Sequence, residues 1–293
     1  MTGRLAWLRR LWHVPTGRFG LVVVVAVVLT AALSLVWTPF DPQQVEIANR
    51  WMPPGWPHVL GTDGSGRDIL SLVMTGARTT VLVAVGAGAV ATVLGIALAA
   101  LGALTARWVR ESVAVLVDVL IAFPVLIIAM MISAVWGGSL WVVVWSVGIG
   151  FGVNIARVTR PELRRVLHSD FVLAGRASGL TPSQNLWHHL LPNVAPVFIV
   201  QLSWGMAIAV LAEAGLSYLG FGAPVTEPSW GLLLDQLQQY LTVYPLAVLP
   251  PGLAITVTVL GLNLLGDGLR DATDPTLSRR DPAARLHVPE VTA

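Results

Sequence analysis

Cysteine is absent from this 293-residue chain, which excludes disulfides, thiolate metal sites and thiol catalysis. Lysine is absent too. All 18 basic residues are arginine, so Schiff-base chemistry and a phosphate-loop lysine are both ruled out. Charge of either sign is scarce, at 12 %, where a soluble domain carries about 25 %. The net charge of +2 is too small to indicate a nucleic-acid partner. What fills the chain instead is hydrophobic side chain, 55 % of all residues, with a mean hydropathy of +0.73. That balance describes an all-α membrane protein with several spans.

Six stretches are long and apolar enough to cross about 30 Å of hydrocarbon as helices: Phe19–Trp37, Thr79–Leu104, Ser112–Trp136, Ser139–Ala156, Val194–Tyr218 and Tyr244–Gly266. The first is longer than the about 7–15 residues of a signal-peptide core and is followed by five more, so it is read as an uncleaved anchor. With the N-terminus inside, fifteen arginines fall in inner segments and only Arg50, Arg67 and Arg78 in outer ones. The positive-inside rule then predicts that both termini are cytoplasmic. No repeat, low-complexity tract or soluble domain is visible.

Pro124 in the third span and Pro250-Pro251 in the sixth remove helical hydrogen bonds and are expected to kink or break their helices. In the second span Ala84, Gly88, Ala91, Gly95, Ala99 and Gly102 form a stripe of small residues at spacings of three or four. In lipid such stripes drive helices together by close backbone approach; packing within the chain is the expected use. Gly148 and Gly152 repeat the pattern in the fourth span. Leu219–Leu241 has too many turn residues to span, and its Leu232–Leu241 part is expected to lie as an amphipathic helix on the outer surface.

The densest polar signals lie in 170–193, DFVLAGRASGLTPSQNLWHHLLPN. Asp170 is expected to cap a first short helix and Gly179 to end it, because glycine accepts left-handed geometry. Thr181 would cap a second helix, with Pro182 at its first position and Gln184 closing a capping box. Pro192 is expected to stop that helix just before the next span. Two short helices at a fixed angle on a membrane face suit docking against another protein.

Other candidates are weaker. Gly61 to Asp68, GTDGSGRD, nearly fits a phosphate loop. Arginine stands at the lysine position, Asp68 at the metal-binding hydroxyl, and Asp63 would repel phosphate, so a turn-rich structural loop is expected. Asp118 and Glu213 are acids inside spans, where a charge costs on the order of 3 kcal/mol. Asp118 would lie about 10 Å from the inner end of its span and Glu213 about 8 Å from the outer end of its own, at 1.5 Å per residue. Adjacent on a helix, His188 and His189 point about 100° apart and cannot share a metal. All six histidines fall outside the spans, which argues against an intramembrane hydrolase.

The segment Leu173-Ala174-Gly175, with Gly179-Leu180-Thr181 and the closing Leu191-Pro192-Asn193, resembles the cytoplasmic EAA loop of ABC importer permeases. Leu173 stands at the acidic position of that loop, Gly175 at the second alanine and His189 at the usual isoleucine. Leu60-Gly-Thr-Asp63, Gly66-Arg67-Asp68, Gly76-Ala77-Arg78 and Ala122-Phe123-Pro124 are similar to motifs of the dipeptide/oligopeptide (peptide/nickel) branch. So are Glu213 to Gly220, Pro228 to Gly231 and Asn263 to Asp271. The resemblance runs from about residue 18 to 276, to the second of two permease subunits.

It implies residues 1–78 as N-terminal segment, first span and extracytoplasmic loop, 79–267 as the five-helix permease core, and 268–293 as a cytoplasmic tail. It also implies a bacterial inner-membrane subunit without a catalytic site, metal or cofactor of its own. ATP and Mg would be held by two cytoplasmic ATPase subunits that grip the 170–193 loop through Leu173, Ala174, Gly175, Gly179, Leu180, Thr181, Leu191 and Pro192. The remaining implied partners are a permease (a homologue or a second copy), an extracytoplasmic binding protein and membrane lipid. Asp118, Pro124 and Glu213 are candidates for the translocation path. Peptide is the expected substrate on family frequency; nickel complexes or another small solute fit the same architecture. A proton-coupled secondary transporter using Asp118 or Glu213 is the alternative from another class, although the inverted repeats expected of one are not seen.

Overall fold

The computed structural model describes residues 11, 12 and 14–273. The N-terminal arginines up to Arg10 and most of the expected tail, from residue 274 onward, lie outside the described residues. The helices are α1 (Pro15–Ser34), α2 (Ile69–Leu104), α3 (Arg107–Ile121), α4 (Val125–Trp136), α5 (Leu140–Leu167) and α6 (Asp170–Ala177), followed by α7 (Pro182–Asn185), α8 (Leu191–Tyr218), α9 (Trp230–Gln238) and α10 (Leu249–Thr273). Among the described residues the only β pairing is the isolated bridge between Thr62 and Asp68. The class is all-α, as expected.

Five of these helices are long and apolar enough to span by themselves, and α3 with α4 makes a sixth candidate bent by 76°. The bend falls at the expected proline. Pro124 is the N-cap of α4, while the amides of Ala122 and Phe123 turn back to Val119 and Leu120 three residues earlier and close α3. Pro250 and Pro251 do not break their helix. They sit in the first turn of α10, where an N–H has no intrahelical partner anyway and the ring costs nothing.

The α2 stripe works inside the chain. Its six small residues are all buried. A side chain at Gly95 would come 2.7 Å from Ile155 Cγ2, one at Gly152 would meet Leu94 and Ala91, and one at Gly148 would meet Val90 and the Ala87 carbonyl. These contacts set α2 against α5 at backbone distance. Val83, Ala87, Val143, Val144, Val147, Ala209, Ala212 and Leu216 then join α2, α5 and α8 into the central core. α1 leans on α10 at an equally tight crossing, Gly17 and Gly20 against Gly261, Leu265 and Gly268.

At the arginine-poor end, residues 35–68 fold over the bundle. The Gly61–Asp68 turn occupies its own cradle: Asp63 Oδ1 accepts from the amides of Ser65 (2.8 Å) and Arg67 (2.9 Å), and its Oδ2 pairs with the Arg67 guanidinium. A phosphate has no seat there, and the structural reading stands. Asp68 caps α2 by accepting from the Ser71 amide at 2.8 Å and hydroxyl at 2.7 Å, and His58 Nδ1 lies 3.1 Å from its other oxygen. Trp51 stacks on Tyr244 at 4.3 Å, tying the loop to the 3-10 turn Pro245–Val248 that leads into α10. Replacing Asp68 by alanine removes the cap and strands His58, so a stability loss of about 1–2 kcal/mol is expected, read as a lower melting temperature of the purified chain. An unchanged melting curve would show that the cap is redundant. The amphipathic helix expected at Leu232–Leu241 is α9, begun two residues earlier at Trp230; it turns Trp230, Leu233 and Leu237 inward, and the Trp230 indole donates to the Val73 carbonyl at 2.8 Å.

Candidate functional site

The 170–193 segment lies at the arginine-rich end, between α5 and α8. Ser169, not Asp170, is the N-cap of α6, because the Ser169 carbonyl accepts from the amides of Val172 and Leu173 at 3.1 Å. Asp170 instead holds the first helical position, where a carboxylate favours the positive end of the helix dipole. Gly179 ends the helix at φ +86°, and the Leu180 amide reaches back to the Gly175 carbonyl at 3.1 Å, the bond that closes a left-handed C-terminal turn. The capping box is formed as expected: the Thr181 amide donates to Gln184 Oε1 at 2.8 Å and the Gln184 amide to Thr181 Oγ1 at 3.3 Å.

Pro192 does not stop the second helix. Leu186–Leu190 is a π-helical turn in which the Leu191 amide bonds to the Leu186 carbonyl, and the chain runs on into α8 with Pro192 at its start. The π turn shifts the ladder by one residue just ahead of the ring, so the missing N–H falls where it is tolerated. The loop is therefore continuous with a membrane helix.

Its base is rooted in the bundle. Val172 and Leu190, both 0 % exposed, pack with Leu163, Val166, Ala99, Ala103 and Val194. Gly175 marks the crossing of the two short helices: a Cβ there would lie 2.9 Å from Asn185 Oδ1 and 3.1 Å from Leu180 Cδ1. Thus Gly175 and Leu180 hold the crook, while Leu173, Ala174, Gly179 and Thr181 face outward. Leu191 and Pro192 belong to α8.

Two further exposed residues of the loop were passed over by sequence reasoning: Phe171 is 44 % exposed and Trp187 65 %, as Leu173 is at 50 %. Each is a large apolar side chain left exposed on a polar loop outside the spans. An aromatic within a capped, polar, two-helix loop was the available signal.

The path candidates are not gathered into one site. Asp118 is exposed on α3. Glu213, on α8, is 0 % exposed; one carboxyl oxygen accepts from the Ser217 hydroxyl at 2.7 Å and the other has no hydrogen-bond partner. Ser217 also accepts from the Ala223 amide at 2.9 Å, so Glu213 braces the turn after α8. Pro124 lies at the bend between α3 and α4. Among the described residues no group of three or more histidines or acids is placed to hold a metal ion.

Residues 91–279 match the family described as the binding-protein-dependent transport system inner membrane component. The chain is 36 % identical over 272 residues to a protein of Brucella suis provisionally named a peptide transport system permease, covering 92 % of this chain and 90 % of that one. It is 33 % identical over 258 residues to the dipeptide transport system permease protein DppC of Alkalihalophilus pseudofirmus, covering 88 % and 85 %. Its fold is similar to a chain of the inward-facing MetNI methionine ABC transporter, with a TM-score of 0.57 at 19 % identity over 70 % of this chain and 98 % of that chain.

Proposed function

Since the chain belongs to the family of binding-protein-dependent transport system inner membrane components, we propose that it forms half of the membrane path of an ATP-driven peptide importer. The observation that carries this is the 170–193 loop: two short helices locked at Gly175 and Gly179, rooted through Val172 and Leu190, and exposing Phe171, Leu173 and Trp187. A rigid lever with an apolar tip serves to receive force from a partner. Two ATPase subunits, holding ATP and Mg, supply that force, and the arginine-rich end with both termini faces the cytoplasm. No step of ATP hydrolysis falls to this chain. A second permease, homologue or copy, completes the path, and an extracytoplasmic binding protein delivers substrate at the opposite end. The names of the relatives support peptide as the substrate.

Within the path, the α3–α4 bend at Pro124 gives the wall its shape and Asp118 offers an exposed carboxylate. Glu213 is a structural brace.

The test is reconstitution of the chain with its partner permease, ATPases and binding protein in proteoliposomes. ATP-dependent uptake of labelled dipeptide is expected; uptake of nickel complexes but not peptide would move the substrate assignment and leave the architecture intact. Uptake by the chain alone down a proton gradient would refute the importer reading. Trp187→Ala should weaken ATPase binding by about 2 kcal/mol, or ~30-fold, as loss of a central aromatic anchor does. Titration of ATPase subunits onto the detergent-purified permease measures this, and unchanged affinity would remove Trp187 from the docking patch.

A further inference from the structure

α1 and α10 cross as an antiparallel pair, and their closest contacts fix a common level at the arginine-poor end. Gly17 lies against Gly268, Gly20 against Leu265, and Val23 against Gly261. Carried outward, that register sets Ser34, the last residue of α1, near the level of Pro251 in the first turn of α10. From Arg18 to Ser34 a helix rises about 24 Å. Ser34 and Pro251 therefore lie close to where a hydrocarbon layer about 30 Å thick gives way to headgroups.

One strip of α10 is left uncovered. Leu249, Leu253, Val257 and Leu260 recur at spacings of three or four and are all exposed, while Ile255 and Leu262 turn into the bundle. At its outer end the strip meets the 35–68 loop: Pro54 and Leu60 line one open groove of about 500 Å³ with Leu249, Leu253 and Val257. The chain between Pro54 and Leu60 is a tight turn, because the amides of Gly55 and Gly61 both donate to the His58 carbonyl, at 3.0 and 2.8 Å. Trp56 stands in that turn and is 93 % exposed. Two residues on from Pro54, its Cα lies within about 7.6 Å of the groove-lining proline's.

Nothing in the turn resists leaving water. Residues 51–60, WMPPGWPHVL, include no acid and no arginine, and His58 is buried beside Asp68. Trp51 packs its ring against Tyr240 and Tyr244, at 4.6 and 4.3 Å, and both tyrosines are part exposed. Amphipathic rings gather in this way at a membrane–water boundary. We propose that the turn 52–57 is seated in the bilayer surface at the arginine-poor end, with the Trp56 indole among the lipid headgroups. The occupant is a lipid surface because the turn continues a helix face that runs down through the hydrocarbon, and because it lacks the charges with which a docking protein would pair. Seated there, it fixes the height of the 35–68 loop, and with it the Asp68 cap of α2, against the bilayer. The inference goes beyond the importer reading and needs only that the chain spans a membrane.

The chain has no cysteine, so a single nitroxide on an introduced cysteine can report its surroundings. A Cβ at Gly55 would meet nothing nearer than 3.9 Å, and Gly55→Cys leaves Trp56 in place. Leu253→Cys gives the hydrocarbon reference. Val225→Cys, beside a cleft that Arg67 and Gln236 also line, gives the water reference. Each full chain is labelled, assembled with its permease and ATPase partners and reconstituted in liposomes of phosphatidylcholine and phosphatidylglycerol. Collisions with oxygen, which concentrates in lipid, are compared with collisions with a water-soluble nickel chelate. The oxygen-to-nickel ratio at position 55 is expected to exceed that at position 225 severalfold and to approach that at position 253. Adding Trp56→Asp should bring it down toward the value at 225, whereas Trp56→Tyr, which keeps an interfacial ring, should not. Nickel access at 55 equal to that at 225 would leave the turn in water and overturn the seat. A label at 55 shielded from both reagents would assign the turn to a protein partner instead. The same shielding at 253 would show that the α10 strip is covered by protein and overturn the continuity with lipid. An unchanged ratio on Trp56→Asp would overturn the part given to Trp56.

Discussion

Replacing Gly179 by valine should lower ATP-driven uptake at least about tenfold while leaving the amount of protein in the membrane unchanged. The residue sits at φ +86° with no atom within 4 Å of a built Cβ, so the substitution meets no steric wall outside its own backbone. The penalty is conformational. A left-handed residue with a Cβ costs roughly 1–2 kcal/mol, and a β-branched one more. At 1.4 kcal/mol per factor of ten, about 2 kcal/mol displaces some thirty-fold of the correctly bent population. The consequence is directional, because Thr181 begins the second helix two residues later and inherits its heading from that turn. The segment bearing Trp187 would leave its place relative to the first short helix. Asparagine visits the left-handed region at little cost, so Gly179→Asn should keep most of the uptake and Gly179→Ala should fall between. Wild-type uptake by the valine variant would show that the angle is set elsewhere, with Gly175 the first place to look.

That prediction could be framed from the sequence because the turn is local. Thr181 and Gln184 are three residues apart, and their mutual hydrogen bonds follow from residue type and spacing alone. The α2 stripe was legible for the same reason: a spacing of three or four lies within one helix, and only the identity of the facing helix, α5, had to come from the structure. Proline was half legible. Pro124 breaks its span as expected, whereas Pro250, Pro251 and Pro192 do not, since each falls at a helix start that hydropathy does not mark. For Pro192 the start depends on a π turn, a change of ladder register with no signature in composition. The two acids looked alike in sequence. Burial separates them, and burial depends on residues far away in the chain: Ala212 and Leu216, either side of Glu213, pack in one cluster with Val83, Ala87 and Val143. The arginine count located one end of the bundle; that Arg160 and Arg164 share the carbonyl of Gly102 depends on where α2 stops.

The least legible contact is also sensitive to a single methyl group. Nothing in the spacing of Gly17 and Gly20 names Gly261 and Gly268 as their partners, some 240 residues later. Yet a Cβ at Gly20 would lie 2.3 Å from the Leu265 amide nitrogen and 2.6 Å from the Gly261 carbonyl. Both obstacles are backbone, which cannot swing aside as a side chain can. α1 and α10 must therefore separate before even alanine fits, at an overpacking cost of about 1–3 kcal/mol. With leucine the crossing would be lost, and with it the contacts of Val24 with Leu262 and of Val27 and Ala31 with Ala254 and Ile255. The cysteine-free chain allows a clean measurement: cysteines at positions 24 and 262 should cross-link readily in the parent. Adding Gly20→Leu should slow that cross-link by roughly ten- to a hundred-fold, the same energy expressed as a population, with Gly20→Ala intermediate. Gly215→Leu, at a position where a Cβ meets nothing within 4 Å, should leave the rate unchanged. Equal rates for the Gly20 and Gly215 variants would mean that α1 reaches α10 without the glycine notch, and that the bundle tolerates a wider spacing there than this structure has.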